Sequence, residues 1–242
     1  MLTDTILCTQ RQWKKRLWPL LLLFFLVHPL LAPAVFAQSW EKKMLEAGLV
    51  KVTDLAPNIR IQLMYSGTDN FMHTDVYGNF DEAYLMPHFA QKLAQAQALL
   101  EKEKGDRYCL IIYDAARPLS IQRKMWSTVK GTPSQRYVAS PNNGGGRHNY
   151  GVAVDLSIYD KTLDKPVDMG SPVDHFGETA HIGKEETLVR RELITQEAQQ
   201  NRHYFHNLMA RVGLHPIRRE WWHMQELNSI QEVRSTYTLL DF

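Results

Sequence analysis

"GGGRHNYGVAVDLSIYD", residues Gly144–Asp160, decides how the rest of the chain is read. Val152–Ile158 reads as a strand, yet it carries Asp155 at its centre. A buried strand accommodates a carboxylate only where a positive charge waits for it. The strand is entered through three glycines and His148. A histidine and a carboxylate converging on one point suit Zn²⁺, which takes such ligands at roughly 2.0–2.2 Å and, in catalytic sites, uses three protein ligands plus water. His148 and Asp155 lie an odd number of residues apart, so one straight strand would place them on opposite faces. The chain therefore has to bend between them, and Gly151 is the residue that permits it.

A third ligand and a base are both offered by "REWWHM" (Arg219–Met224), with Glu220 and His223 three residues apart. A metal brings the ionisation of a water toward neutral pH, and Glu220 needs only hydrogen-bond reach of that water to take its proton. Trp221 and Trp222 would wall the site from solvent, although strand alternation turns one of them in and the other out. Amide hydrolysis builds negative charge on the carbonyl oxygen. Arg117, in "YDAARPLS" (Tyr113–Ser120), stands at the end of a buried strand with a guanidinium fork suited to oxygen anions. A structural pair between Arg117 and Asp114 is the competing reading.

"RHNYGVAVDLS" followed by "EWWH" resembles the zinc D-alanyl-D-alanine dipeptidases of the vancomycin-resistance type, within the D,D-peptidases bearing His-x6-Asp and Glu-x-x-His. "YDAARP" is similar to that family's arginine segment. "MYSGTDNF" (Met64–Phe71) is similar to its N-terminal tyrosine motif, and "VDMGSPVDHF" (Val167–Phe176) to the segment after its aspartate-ligand strand. The resemblance implies that His148, Asp155 and His223 bind one zinc ion, that Glu220 is the base, and that Arg117 stabilises the transition state. It also implies a small pocket for a free dipeptide. The dipeptide's ammonium needs an anion, for which Asp174 in the matched segment is the candidate, and Tyr65 is a candidate to line the same site. One departure stands out: the family has serine two residues before its first histidine ligand, and this chain has Gly146.

Working outward, residues 1–37 read as a secretory signal. Arg11, Lys14, Lys15 and Arg16 precede an apolar run from Leu17 to Val27, which closes on Ala32, Ala34 and Ala37. Cleavage is expected after Ala37, with Ala34 as the alternative, leaving residues 38–242 as one zinc D,D-dipeptidase domain expected in a periplasm. The rival reading, an uncleaved anchor, is disfavoured by Pro19, Pro29 and Pro33 and by an apolar run short of the roughly 20 residues a span needs. Losing the signal turns a formal net charge of +2 into −1, which leaves no basic patch for nucleic acid and no membrane segment. Cys109 would then be the lone cysteine, read as a small buried hydrophobe. The sequence assigns no oligomeric state.

Helices are expected at 39–48, 86–104, 120–131 and, longest, 185–212. Strands are expected at Leu49–Leu55, Ile59–Ser66, Arg107–Ala116, Val152–Ile158 and Ile217–Gln225. Strands and helices do not alternate in βαβ units. The expected fold class is α+β: one domain, a largely antiparallel central sheet flanked by helices, and a zinc site in a cleft on the sheet. His203 and His206, at helical spacing, are read as surface residues. The expected activity is zinc-dependent hydrolysis of D-Ala-D-Ala. The alternatives are a D,D-carboxypeptidase or endopeptidase on peptidoglycan stems, and a non-catalytic zinc-stabilised binding module.

Overall fold

The computed structural model describes residues 40–242, so the signal reading of residues 1–37 lies outside the described residues. Its centre is β4 (Tyr108–Asp114) beside β5 (Ala153–Asp160). Every residue of β5, and all of β4 after Tyr108, is buried, because both faces of these strands are covered. The sheet continues through β8 (Glu220–Gln225) to β7 (His215–Ile217). β2 (Arg60–Ile61) lies on the far side of β4, and the short β6 (Lys165–Pro166) pairs with the end of β5. All of these pairings are antiparallel except β2 with β4. The expected α+β fold with a largely antiparallel sheet is therefore present, with one parallel edge making the sheet mixed. Helix α1 (residues 40–46) leads into a separate two-stranded sheet that joins β1 (Val50–Lys51) to β3 (Tyr84–Leu85).

Helix α3 (Pro87–Lys104) covers one sheet face through Phe89, Ala90, Leu93, Ala96 and Leu100, a helical-period stripe that is fully buried. Pro87 starts the helix and Gly105, at φ 76°, ends it. Gln97 on the same stripe accepts from the Leu110 backbone N–H at 2.8 Å, which ties the helix to β4. Helix α4 (Leu119–Val129) follows β4 and packs over a second core cluster that includes Tyr65, Phe80 and Tyr84.

Four expected elements differ. The single strand expected over Ile217–Gln225 is a hairpin, the last residue of β7 and all of β8 joined by a turn at residues 218–219. The strand expected over Leu49–Leu55 is only the two residues of β1 before a turn of helix, α2 (Val52–Leu55), because a short apolar alternation does not separate a strand from one helical turn. Ile59–Ser66 is strand only at Arg60–Ile61 and then a 3₁₀ turn, Met64–Ser66. The long helix over 185–212 is two helices, α5 (Glu185–Arg190) and α6 (Gln196–Ala210). The break falls where Glu192 takes φ 56° and where the Thr195 side chain accepts from Ala198 N–H, opening a new helix. Among the described residues no helix is long and apolar enough to cross a membrane.

Candidate metal and active site

The register of three strands builds the site. Asp155 on β5 stands opposite Asp114 on β4 and opposite His223 on β8, so the three side chains form one row across the sheet. Before β5 the chain makes a 3₁₀ turn, Arg147–Tyr150, and bends at Gly151, which has φ 68°. A Cβ at Gly151 would lie 2.4 Å from Leu49 Cδ2, so both backbone and packing require glycine there. That bend brings His148 over the row despite its odd spacing from Asp155. The turn is stitched to Arg117 by Arg117 N–H to His148 O at 2.9 Å and Asn149 Nδ2 to Arg117 O at 2.7 Å.

Three lone-pair atoms meet over the sheet. His148 Nε2 lies 3.1 Å from His223 Nδ1 and 3.5 Å from Asp155 Oδ1, and His223 Nδ1 lies 3.1 Å from Asp155 Oδ1. Tetrahedral zinc ligands at about 2.1 Å stand roughly 3.4 Å from one another, which these edges match. The other ring nitrogens are engaged: His148 Nδ1–H donates to Ala115 O at 2.8 Å, and His223 Nε2–H donates to Gln225 Oε1 at 3.1 Å. Each imidazole therefore turns a bare nitrogen toward the carboxylate. With both imidazoles neutral, the three acceptors facing one point have no proton between them, and a cation satisfies all of them. Among the described residues this is the one such group of histidine, cysteine or acidic side chains.

A cleft of about 400 Å³ opens over the triangle. Tyr65, Arg117, Gly146, Asp174, Glu220 and Trp222 line it together with His148, Asp155 and His223. Glu220 Oε2 is 4.0 Å from His223 Nδ1, beside the triangle and outside it. Burial raises the Glu220 carboxyl to about 8, against the opposing pull of His223, with Asp155 and Asp174 adding to the rise. Burial likewise raises Asp174 to about 7, although its oxygens accept from Phe71 N–H and Tyr65 O–H, each at 2.9 Å. Burial thus disfavours charge on Asp174 and Glu220, whereas His148 and His223 hold Asp155 in its ionised form against the same burial. A bound dication would favour their ionised forms.

Arg117 is where the sequence places it, at the rim, and it also makes the structural pair. It is 7% exposed, its Nε donates to Asp114 Oδ2 at 3.0 Å, and its Nη1 donates to Gln122 Oε1 at 2.8 Å. Burial works against its charge, but Asp114 and the neighbouring tyrosines hold its pKa above the ordinary arginine value. Its guanidinium carbon sits 5.3 Å from the Tyr65 ring centroid. Tyr65, in the 3₁₀ turn, therefore packs against Arg117 and also links it to Asp174. At Gly146 an added Cβ would come within 3.0 Å of Ala139 Cβ, so Ala139 crowds the position where a serine would stand.

Two expectations are corrected. Trp221 and Trp222 are both buried, each 2% exposed, with Trp222 on the cleft and Trp221 donating to Ser171 Oγ at 3.0 Å. His206 is half-buried: its Nε2–H donates to Trp221 O at 2.9 Å, so only His203 faces solvent as expected. Gln225, Asp114 and Gln122 were not assigned to the site from sequence. The signals were there: Gln225 follows His223 by two on one strand, which puts it on the same face. Asp114 precedes Arg117 by three at the end of β4.

A family model described as D-ala-D-ala dipeptidase, peptidase M15, matches residues 45–239. The chain belongs to the M15 D-Ala-D-Ala dipeptidase family. Curated relatives agree. The D-alanyl-D-alanine dipeptidase of Escherichia coli K12 is 28% identical over 177 residues, covering 73% of this chain and 83% of that protein. That of Enterococcus faecium is 24% identical over 200 residues, covering 74% of this chain and 91% of its own. M15 peptidases are hydrolases, and the His148–Asp155–His223 triangle provides this M15 chain with a place for a metal.

Proposed function

We propose that the protein is a zinc-dependent dipeptidase that hydrolyses free D-Ala-D-Ala. The observation that carries this reading is the all-acceptor triangle of His148, Asp155 and His223 in a cleft that also holds Glu220 and Arg117. Zinc held there supplies the Lewis acidity that brings a water's ionisation near neutral pH and polarises a carbonyl. Glu220 takes the proton of the attacking water and returns it to the leaving amine as the C–N bond breaks. Arg117, fixed by Asp114 and Gln122, presents its charge to the carbonyl oxygen as that atom becomes negative. Asp174, oriented by Tyr65, faces the substrate's ammonium. The proposed compartment is outside the inner membrane. Support for export comes from the basic, apolar and small-residue pattern of residues 1–37.

The test is hydrolysis of D-Ala-D-Ala beside its N-acetylated form, with and without chelator. Cleavage of the free dipeptide alone, abolished by chelator and restored by zinc, is expected. Equal cleavage of the acetylated peptide would make the protein a D,D-carboxypeptidase or endopeptidase, and no hydrolysis of either by zinc-loaded protein would make it a binding module.

Asp174→Asn keeps the size of the side chain and removes its charge. KM is expected to rise more than kcat falls, because the lost attraction acts in ground and transition states alike. The wild-type kcat/KM is expected to fall as pH drops through about 7, where Asp174 takes up its proton, with the midpoint drawn lower by the metal's charge. Steady-state kinetics across pH 5–9 check both points: a kcat loss with unchanged KM would remove Asp174 from the ammonium's site.

A further inference from the structure

Helix α6 contains an arginine with no exposure at all. Arg202 Nε donates to Met169 O at 2.5 Å, Nη2 to Thr179 O at 2.6 Å and to Ser171 Oγ at 3.4 Å, and Nη1 to His181 O at 3.5 Å. None of these partners is a carboxylate. Burial lowers its pKa to about 10, with Glu185 and Asp168 opposing from further away. A charge held at that cost gathers something that backbone alone does not bring together.

What it gathers is the neck of a loop. Met169 and Ser171 lie on one side of Asp174 and Phe176, and Thr179 and His181 on the other, so one guanidinium closes both ends of Met169–His181. This is an Ω-loop geometry. The neck lies flush on α6 and the segment leading into it: Gly170, at φ 79°, would put a Cβ 3.2 Å from Ala198 Cβ on the helix and 2.7 Å from Ile194 Cγ2 just before it. Ser171 Oγ accepts from Trp221 Nε1 at 3.0 Å, and His206, one turn beyond Arg202, donates to Trp221 O. Neck, α6 and β8 are thus locked together beside Glu220. At the tip, Asp174 holds φ 65° while Tyr65 and Phe71 grip its oxygens, and Phe176 stacks at 4.7 Å on Tyr137 across the cleft wall.

We propose that Arg202 is a positioning residue for recognition of the substrate's ammonium end: by closing the neck of the Met169–His181 loop it sets where Asp174 and Phe176 enter the cleft. The proposal rests on the reading that Asp174 faces the ammonium. It requires the planar fork. A lysine's three donors on one nitrogen do not span carbonyls on both sides of the neck.

The test is Arg202→Lys in the full-length, zinc-loaded protein, alone and combined with Asp174→Asn. KM is expected to rise about tenfold, kcat to stay within about threefold, and zinc content to stay unchanged. In the Asp174→Asn background the same change is expected to add less than about twofold to KM, because the two residues act as a unit. An equal KM increase in both backgrounds overturns the proposal, as does a fall in kcat with KM unchanged. If Asp174→Asn itself leaves KM alone, the assignment of Asp174 to the ammonium fails instead. Should Arg202→Lys not fold, Ser171→Ala removes the hydroxyl shared by Arg202 and Trp221 without touching a charge. A KM raised by about twofold or more is then expected, and an unchanged KM overturns the proposal.

Discussion

Glu220→Ala is expected to keep a full complement of zinc and to lose about 10²–10⁴-fold in kcat. The geometry separates the two roles. The three ligand atoms form a closed triangle without Glu220, whose carboxylate sits 4.0 Å from His223 Nδ1. On the proposed mechanism, removing it would cost no ligand and would deprive the attacking water of its proton acceptor. It also removes a carboxyl that burial keeps uncharged in the metal-free protein up to about pH 8. A carboxyl whose folded pKa lies above its unfolded value destabilises the fold wherever the unfolded chain has already released the proton. Metal-free wild type is therefore expected to lose stability as pH rises from about 4.5 toward 8. Glu220→Gln is expected to flatten that slope. Metal analysis, turnover and thermal unfolding at several pH values check these outcomes, and loss of zinc on replacing Glu220 would make it a ligand instead of a base.

Arg117 separates a chemical effect from a structural one. Arg117→Lys retains a positive charge near Asp114 but loses the fork that reaches Asp114, Gln122 and the cleft together. A loss of about 10²–10³ in kcat is expected, the scale of removing one oxyanion donor. Arg117→Ala goes further: Asp114 is left buried without its guanidinium, directly opposite Asp155 and with His148 Nδ1 at 3.4 Å as its remaining partner, and about 3 kcal/mol of stability is expected to go with it. Turnover measured beside denaturant unfolding distinguishes the two. Should Arg117→Lys keep full turnover, Arg117 would be structural only.

Much of the candidate metal centre is legible in the sequence because its demands are local. A carboxylate in the middle of an apolar strand, a histidine seven residues earlier and a glycine between them describe a bend and a charge before any fold is known. Tyr65 and Asp174 could be named from the sequence, but their mutual hydrogen bond could not, since it joins residues 109 apart. Arg202 was hidden for a different reason. It lies four residues after Ala198 and three before Phe205, on the apolar stripe of α6, so the position announces burial while the residue type announces solvent. The carbonyls that resolve the contradiction belong to a loop with no periodicity of its own. The break between α5 and α6 was missed because apolar period runs across it, and the Thr195 cap outweighed that continuity.

The triangle of donors also carries a timetable. His148 and Asp155 are neighbours along the chain, but His223 arrives from 68 residues beyond Asp155, and only once β8 has found its register on β5. Under the proposed zinc reading, a half-formed pair of ligands would hold an ion weakly, so capture would wait for β8 to pair with β5. Zinc uptake would then report the completion of the sheet. The captured ion would pull the last strand's pairing toward completion by mass action, so the C-terminal hairpin would be held most firmly in the protein that is ready to work.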